Sequence, residues 1–314
     1  MWTYFLKRCL MALPTVFLVS VTVFALIRMI PGDPAQLMLS DQATPQALAE
    51  LRARMGIDQP LPVQFLTWVR NMLSGDLGVS IRTGDPVLGT ILQRFSVTAS
   101  VVLLAVLAAV IVAIPAGLIA ARFQNRRPDL GISLFAIVTL SMPSFWVGLM
   151  LLLFFGVKLH WLPTIGYVAI TDDFGRGMLY LIMPMIALML TEMGVLTRMM
   201  RSSALEVLRL EYVTHARAKG LTETAVLLRH VLKNAGGPTL TVLGLIMASL
   251  LGGATVTETV FSLPGIGKLI VDSIYARDYP VLQGALLLVA MVYVVTNLVV
   301  DMLYSVIDPR VRLQ

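Results

Sequence analysis

The chain has 314 residues, 57% of them hydrophobic and only 13% charged, with a formal net charge of +6. A soluble domain carries about 25% charged residues, so the composition points to a membrane protein. The cations are dispersed around apolar spans, which speaks against nucleic-acid binding. The single cysteine, Cys9, excludes an internal disulfide framework and any Cys-based metal cluster.

A bilayer core is about 30 Å thick and takes about 20 apolar residues to cross as a helix. Six stretches qualify, at 9–29, 96–121, 130–157, 178–199, 239–259 and 281–305. Cys9 opens the first of these and reads as apolar filler. That run is too long for a signal-peptide core, and no small-x-small cleavage site follows before Pro31, so it reads as a retained span. Orientation follows from the short loops. Lys7 and Arg8 precede the first span; Arg122, Arg126 and Arg127 lie in the second loop. The 200–238 loop holds Arg201, Arg209, Arg217, Lys219, Arg229 and Lys233, and the tail holds Arg310 and Arg312. The opposite loops carry only Lys158 and Arg176, then Lys268 and Arg277. The positive-inside rule therefore expects both termini in the cytoplasm and segment 30–95 outside.

Segment 30–95 is too long for a plain connector. Pro31, Gly32 and Pro34 predict a turn after the first span. A helix follows in "TPQALAELRARMG", with Thr44 as cap, Pro45 in the first turn and Gly56 as stop. Leu61, Phe65, Trp68, Val69 and Met72 then recur at helical spacing. A small folded cap on the outer face is expected; the alternative is an amphipathic helix resting on lipid.

The second span carries Ala105, Ala109, Ala113, Gly117 and Ala121 at four-residue steps, and the fifth carries Gly244, Ala248 and Gly252. Such stripes let helix backbones approach closely in lipid; a part in lining a pathway is the second reading. Pro143, Ser144, Phe145 and Trp146 are candidate pathway residues, because a proline weakens the helix beside a hydroxyl and two aromatic rings; a packed kink is the alternative. Three acids fall at membrane depth: Glu192 in the fourth span, Glu258 near the outer end of the fifth and Asp301 near the inner end of the sixth. Charges there are costly and raise functional hypotheses. Glu258 and Asp301 are near enough to the surface to be solvated or paired, and Glu192 is within reach of a cation such as Arg198 or a partner's residue. No chain of buried acids and histidines supports a proton relay, so structural roles are expected for all three.

The histidines, His160, His215 and His230, show no metal-ligand spacing. The nearest approach to a phosphate loop, "PGIGKL" at 264–269, has Ser262 where glycine is needed and Leu269 where a hydroxyl is needed. ATP binding by that route and catalysis by this chain alone are not expected.

The most polar interior stretch is "EYVTHARAKG", 211–220. The 200–238 loop reads as two short helices, the first capped by Ser202 or Ser203 with Glu206 in its first turn and ended at Gly220. The second runs from about 222 to 234 and stops at Gly236-Gly237-Pro238. Tyr212, Ala216 and Gly220 fall four apart on one face, a nearly side-chain-free surface suited to a protein groove. Glu211 and His215 form another pair, while Arg217 and Lys219 point elsewhere. An amphipathic helix on lipid is the alternative, but lipid binding favours bulkier side chains.

"EYVTHARAKGL" followed by "VLLRHVLKNA" resembles the cytoplasmic E-A-A…G loop of ABC-importer permeases, and more narrowly the dipeptide/oligopeptide/nickel permease family. "IPGDPA", "GIDQPLPVQF", "GDLGVS", "SMPSFWVG", "ARAKGL", "ETVFSLPGIGKLIVDSI", "RDYPVLQG" and "NLVVDMLYSVIDPRVR" are similar to that family's signatures, in the same order. Glu211 is followed by Tyr212-Val213 rather than by two alanines. The resemblance implies an all-α integral membrane protein of the type I importer permease fold, with six transmembrane helices and a cap after the first. Its parts would be arm and first helix 1–29, cap 30–95, five-helix core 96–305 with coupling loop 200–238, and tail 306–314. It further implies a bacterial inner-membrane location, a second homologous permease, two ATPase subunits that hold ATP and magnesium, and an extracytoplasmic solute-binding protein. The segment around 206–222 would be the coupling helix, with Glu211, Tyr212, Ala216, Arg217, Lys219 and Gly220 at the ATPase contact. Peptides lead among solutes; nickel complexes, glutathione and opines are alternatives. A stand-alone transporter or channel and a non-transporting scaffold are readings of other classes.

Overall fold

In lipid every backbone polar group needs an internal partner, which a helix supplies within one segment. The computed structural model describes residues 2–29, 34–39 and 44–307, and its long elements are helices. Five are long and apolar enough to cross a membrane: α1 (Trp2–Met29), α5 (Val87–Arg122), α8 (Phe174–Leu208), the helix ending in α11 (Leu232–Gly253), and α14 (Tyr279–Ile307). The short α2 (Pro34–Leu39), α3 (Pro45–Met55) and α4 (Leu61–Leu73) lie between the first two. The tail with Arg310 and Arg312, and the turn at Pro31 and Gly32, fall outside the described residues.

The third expected span, 130–157, is not one helix. It is α6 (Arg127–Ser141) and α7 (Ser144–Leu151), the latter continued by wide π turns over Leu152–Lys158, with a 94° bend between the two halves. Pro143 lacks an N–H and pushes its predecessor out of the helical region; Met142 is extended, at φ −94° and ψ 123°. Pro238 behaves in the opposite way. The expected stop at Gly236-Gly237-Pro238 is absent: the helix runs from α10 (Glu223–Val226) through a π segment (Leu227–Val231) into α11. Val231, Ala235 and Thr239 are buried along that stretch, so packing overrides local propensity. Ser202 and Ser203 also cap nothing, because α8 passes straight through them to Leu208.

The second span starts at Val87 rather than 96, since Val87 and Ile91 are buried against Val281 and Ala285 of α14. With 36 residues α5 is about 54 Å long, well beyond a bilayer core of about 30 Å. It joins both ends of the bundle. The small-residue stripes mark its tightest packing. Ala105, Ala109, Ala113 and Ala121 are buried, and a Cβ on Gly117 would lie 2.7 Å from Met200 Cβ and 2.9 Å from the Thr197 carbonyl of α8. A Cβ on Gly244 would overlap the Val300 side chain of α14; Ala248 is buried, and a Cβ on Gly252 would lie 3.5 Å from the Val289 side chain, in ordinary contact.

Between α1 and α5, Thr44 accepts a hydrogen bond from the Ala47 N–H, and Gly56 ends α3 at φ 65°. Phe65 and Trp68 of α4 pack on Phe24 of α1, with ring centroids 5.4 and 6.0 Å apart. Leu61, Leu66 and Leu73 on the same helix are exposed. The following turn is fixed to the far end of the chain: Ser80 Oγ and the Ile81 N–H both donate to the buried Asp278 carboxylate. Two of the family-like stretches, "GDLGVS" and "RDYPVLQG", thus meet in space.

Candidate functional site

The short helix α9 (Glu211–Ala218) hangs from the end of α8 after Arg209 and Leu210. It is shorter than the expected 206–222, and Glu206 belongs to α8. Val213 and Ala216 are its only buried residues. They pack into one apolar cluster with Met200, Ala204 and Val207 of α8, Leu118 and Ala121 of α5, and Val226, Leu227 and Val231 of the returning helix. The helix is therefore seated against α8 and the returning helix, in a cluster that continues into the end of α5.

This seat corrects the expected docking face. Tyr212, Ala216 and Gly220 do not form one outward surface. Ala216 is 6% exposed and faces this chain's own core, where its small side chain allows α9 to approach closely. Gly220 lies beyond the helix at φ 81°, and a Cβ there would meet nothing within 4 Å. Within this chain the glycine serves the backbone turn, since an L side chain is strained at that φ. The outward face consists of Glu211, Tyr212, Thr214, His215, Arg217, Ala218 and Lys219. Tyr212 lies beside His230, ring centroids 6.4 Å apart, and partial burial lifts its phenol pKa above the ordinary value. Arg217 forms a two-pronged pair with Glu223 at 2.8 and 3.3 Å, which pins the turn between α9 and α10.

A second device at this end was not foreseen from sequence. Arg201 of α8 grips Asp129 of α6 in a bidentate pair at 2.6 and 2.8 Å. Asp129 is 2% exposed and also accepts from the Asn125 N–H and the Ser133 hydroxyl. Its four acceptor sites are well used, which such burial requires. The partners stand 72 positions apart, so spacing gave no signal; the only hint was an acid beside the Arg126-Arg127 pair.

The membrane-depth acids take three different situations. Asp301 pairs with Arg8 at 2.7 Å, joining α14 to α1. Glu192 is half-buried, and among the described residues neither it nor Arg198 has an ion-pair partner, so the expected pairing of the two is not made. Glu258, expected near the surface and solvated or ion-paired, is 1% exposed in α12 (Thr255–Val260). Its carboxylate accepts from the Thr98 hydroxyl of α5 and, at 2.9 Å, from the Lys268 N–H in the first turn of α13 (Ile266–Ala276). Thr98 in turn accepts from the Ile266 N–H at 2.9 Å. A Cβ on Gly265 would overlap this carboxylate. "PGIGKL" is thus a helix N-terminus whose anion site is filled by the chain's own glutamate.

The candidate pathway residues lie at the bend. Pro143 is the last extended residue before α7, Ser144 is half-buried, and Phe145 and Trp146 are each 44% exposed, directed away from this chain's core. Val147 and Gly148 turn inward, Gly148 onto the Phe261 ring. Among the described residues no three His, Cys, Asp or Glu side chains converge as a metal site. What these parts provide is mechanical: one exposed polar helix, an apolar seat that ties it to long helices, and a bent span.

Residues 113–313 match the family described as binding-protein-dependent transport system inner membrane component, and residues 1–102 match its N-terminal counterpart. A probable peptide ABC transporter permease of Sinorhizobium fredii is 40% identical over 312 residues, covering 99% of this chain and 100% of the relative. A dipeptide transport system permease of Alkalihalophilus pseudofirmus is 40% identical over 332 residues, covering 99% and 100%. A glutathione transport system permease of Escherichia coli is 41% identical over 312 residues, covering 99% of each chain. The fold is similar to a chain of the MetNI methionine ABC transporter, solved in inward-facing conformations, with a TM-score of 0.58 and 16% identity over 70% of this chain and 97% of that one. The chain therefore belongs to the binding-protein-dependent transport system inner membrane components, the non-catalytic permease subunits of ABC importers.

Proposed function

We propose that this permease imports di- or oligopeptides and that α9 is its coupling helix. The observation that carries the solute class is full-length similarity to relatives named for peptides and dipeptides. The loop charges support both termini in the cytoplasm, which puts α9 on the side of the ATPases. A second homologous permease, two ATPase subunits with ATP and magnesium, and an extracytoplasmic binding protein complete the machine. Closure of the ATPases pushes the exposed face of α9, centred on Tyr212, His215 and Ala218. The push enters α8 and α10 through Val213 and Ala216, reaches α5 through the shared apolar cluster, and the Arg201–Asp129 pair carries it into α6. A packed interface of this kind transmits rigid-body motion, because close-packed side chains deform little. The bend at Pro143, with exposed Phe145 and Trp146, then faces the second permease at the pathway.

Glutathione is the second reading, favoured by the Escherichia coli relative named for it; nickel complexes and opines are weaker alternatives. Binding of a dipeptide, glutathione and a nickel complex to the cognate binding protein, followed by uptake into proteoliposomes of the full complex, decides among them. Uptake of dipeptide is expected. Uptake of glutathione or nickel alone would replace the peptide reading while leaving the coupling role of α9 intact.

A further inference from the structure

A cleft of about 820 Å³ opens between α6, α8 and α11, at the end of the bundle that carries α9. Its size is in the range of small-ligand sites. Ser133 and Ile137 of α6, Val195, Arg198 and Ser202 of α8, and Val242 of α11 line it. Val195, Arg198 and Ser202 fall on one helix face, at steps of three and four. Thr191, one turn before Val195 on the same face, has a buried hydroxyl without a hydrogen-bond partner among the described residues. The charges lining the cleft are two cations and no acid. One of them, Arg201, is already neutralised by its bidentate grip on Asp129. Arg198 is exposed and has no ion-pair partner among the described residues. One uncompensated guanidinium thus stands in an otherwise polar-to-apolar cleft, and low-dielectric walls focus its field into that space.

We infer that Arg198 is a specificity-determining residue that receives the carboxylate of the solute in the cleft between α6, α8 and α11. The inference rests on the peptide reading, since a peptide with a free C-terminus is such a carboxylate. A guanidinium binds a carboxylate through two parallel N–H donors, and the Ser202 hydroxyl, one turn away, is placed to assist. Inorganic or lipid phosphate shares the same anion chemistry.

The test uses the complete transporter in proteoliposomes, with Cys9 replaced by serine and the exposed Ser202→Cys introduced. Cysteine modification is timed with an anionic and a cationic thiosulfonate reagent of equal size. The anionic reagent is expected to react about tenfold faster, and Arg198→Gln is expected to remove that ratio. In parallel, uptake of trialanine and of trialanine amide is compared. Arg198→Gln is expected to reduce trialanine uptake about tenfold relative to the amide, with Arg198→Lys in between. A site closed to both reagents, or a ratio that Arg198→Gln leaves unchanged, overturns the inference; wild-type trialanine uptake then shows the peptide reading still standing. Normal labelling with no trialanine uptake by the wild type overturns the peptide reading and the carboxylate assignment together. Equal loss for both peptides that tracks the anionic-lipid content of the vesicles assigns Arg198 to a lipid headgroup and also overturns it.

Discussion

The two ends of α5 hold two elbows in contrasting ways. At one end, α9 packs through Val213 and Ala216 into the apolar cluster that includes Leu118 and Ala121, and keeps its charges outside. At the other, Thr98 receives α13 through a hydrogen-bonded knot around the buried Glu258 carboxylate. An apolar seat is non-directional and spread over many contacts. A buried carboxylate is directional and fails when one partner is lost. The α9 elbow therefore tolerates change at its exposed face, as the proposed coupling role requires, while the α13 elbow is built to hold one geometry.

The largest expected effect breaks the polar knot. Glu258→Ala leaves the buried Thr98 hydroxyl proton and the Lys268 N–H of α13 without their acceptor, at a loss of about 3 kcal/mol or more. Thermal unfolding in detergent is expected to show a markedly lower midpoint and poor yield, with Glu258→Gln between it and the wild type. An unchanged midpoint would remove the contrast between the two ends. Overpacking the apolar seat comes next. Ala216→Leu is expected to cost about 1–3 kcal/mol locally and to lower uptake and ATPase co-purification, while the protein still inserts.

Gly220 sharpens the comparison further. At φ 81° in open space, a β-branched Gly220→Val is expected to strain the turn by about 1–2 kcal/mol. Gly220→Asn, which tolerates this backbone region, is expected to keep near-normal uptake. If Asn and Val impair uptake equally, the glycine acts by contact and not by backbone geometry. The smallest effect belongs to the exposed pair of Arg217 and Glu223: Arg217→Ala is expected to change stability by about 0.5 kcal/mol, seen as a shift of a degree or less in the same melt.

The membrane architecture was legible in the apolar runs, and the Thr44 and Gly56 signals set the ends of α3. The family-like stretches were legible as motifs, and two of them prove to be contact partners through Ser80 and Asp278. The fate of each proline was not legible. Pro143 and Pro238 offer similar local signals, yet one ends a helix and the other is carried through by the buried Val231, Ala235 and Thr239 around it. Spacing put Ala216 on a face with Tyr212 but gave no sign that the bundle lay on its side of α9. The Asp129–Arg201 pair and the Thr98–Glu258 knot join residues 72 and 160 positions apart, beyond any local pattern.

The central claim is that α9 meets the ATPase with the face opposite its apolar seat. Single cysteines at Ala218→Cys and Ala216→Cys, each with Cys9 replaced and a photo-activated thiol reagent attached, test it directly in the assembled transporter. Cross-linking to the ATPase subunit is expected from position 218 and not from position 216. Equal cross-linking from both, or cross-linking from 216 alone, would contradict the assignment.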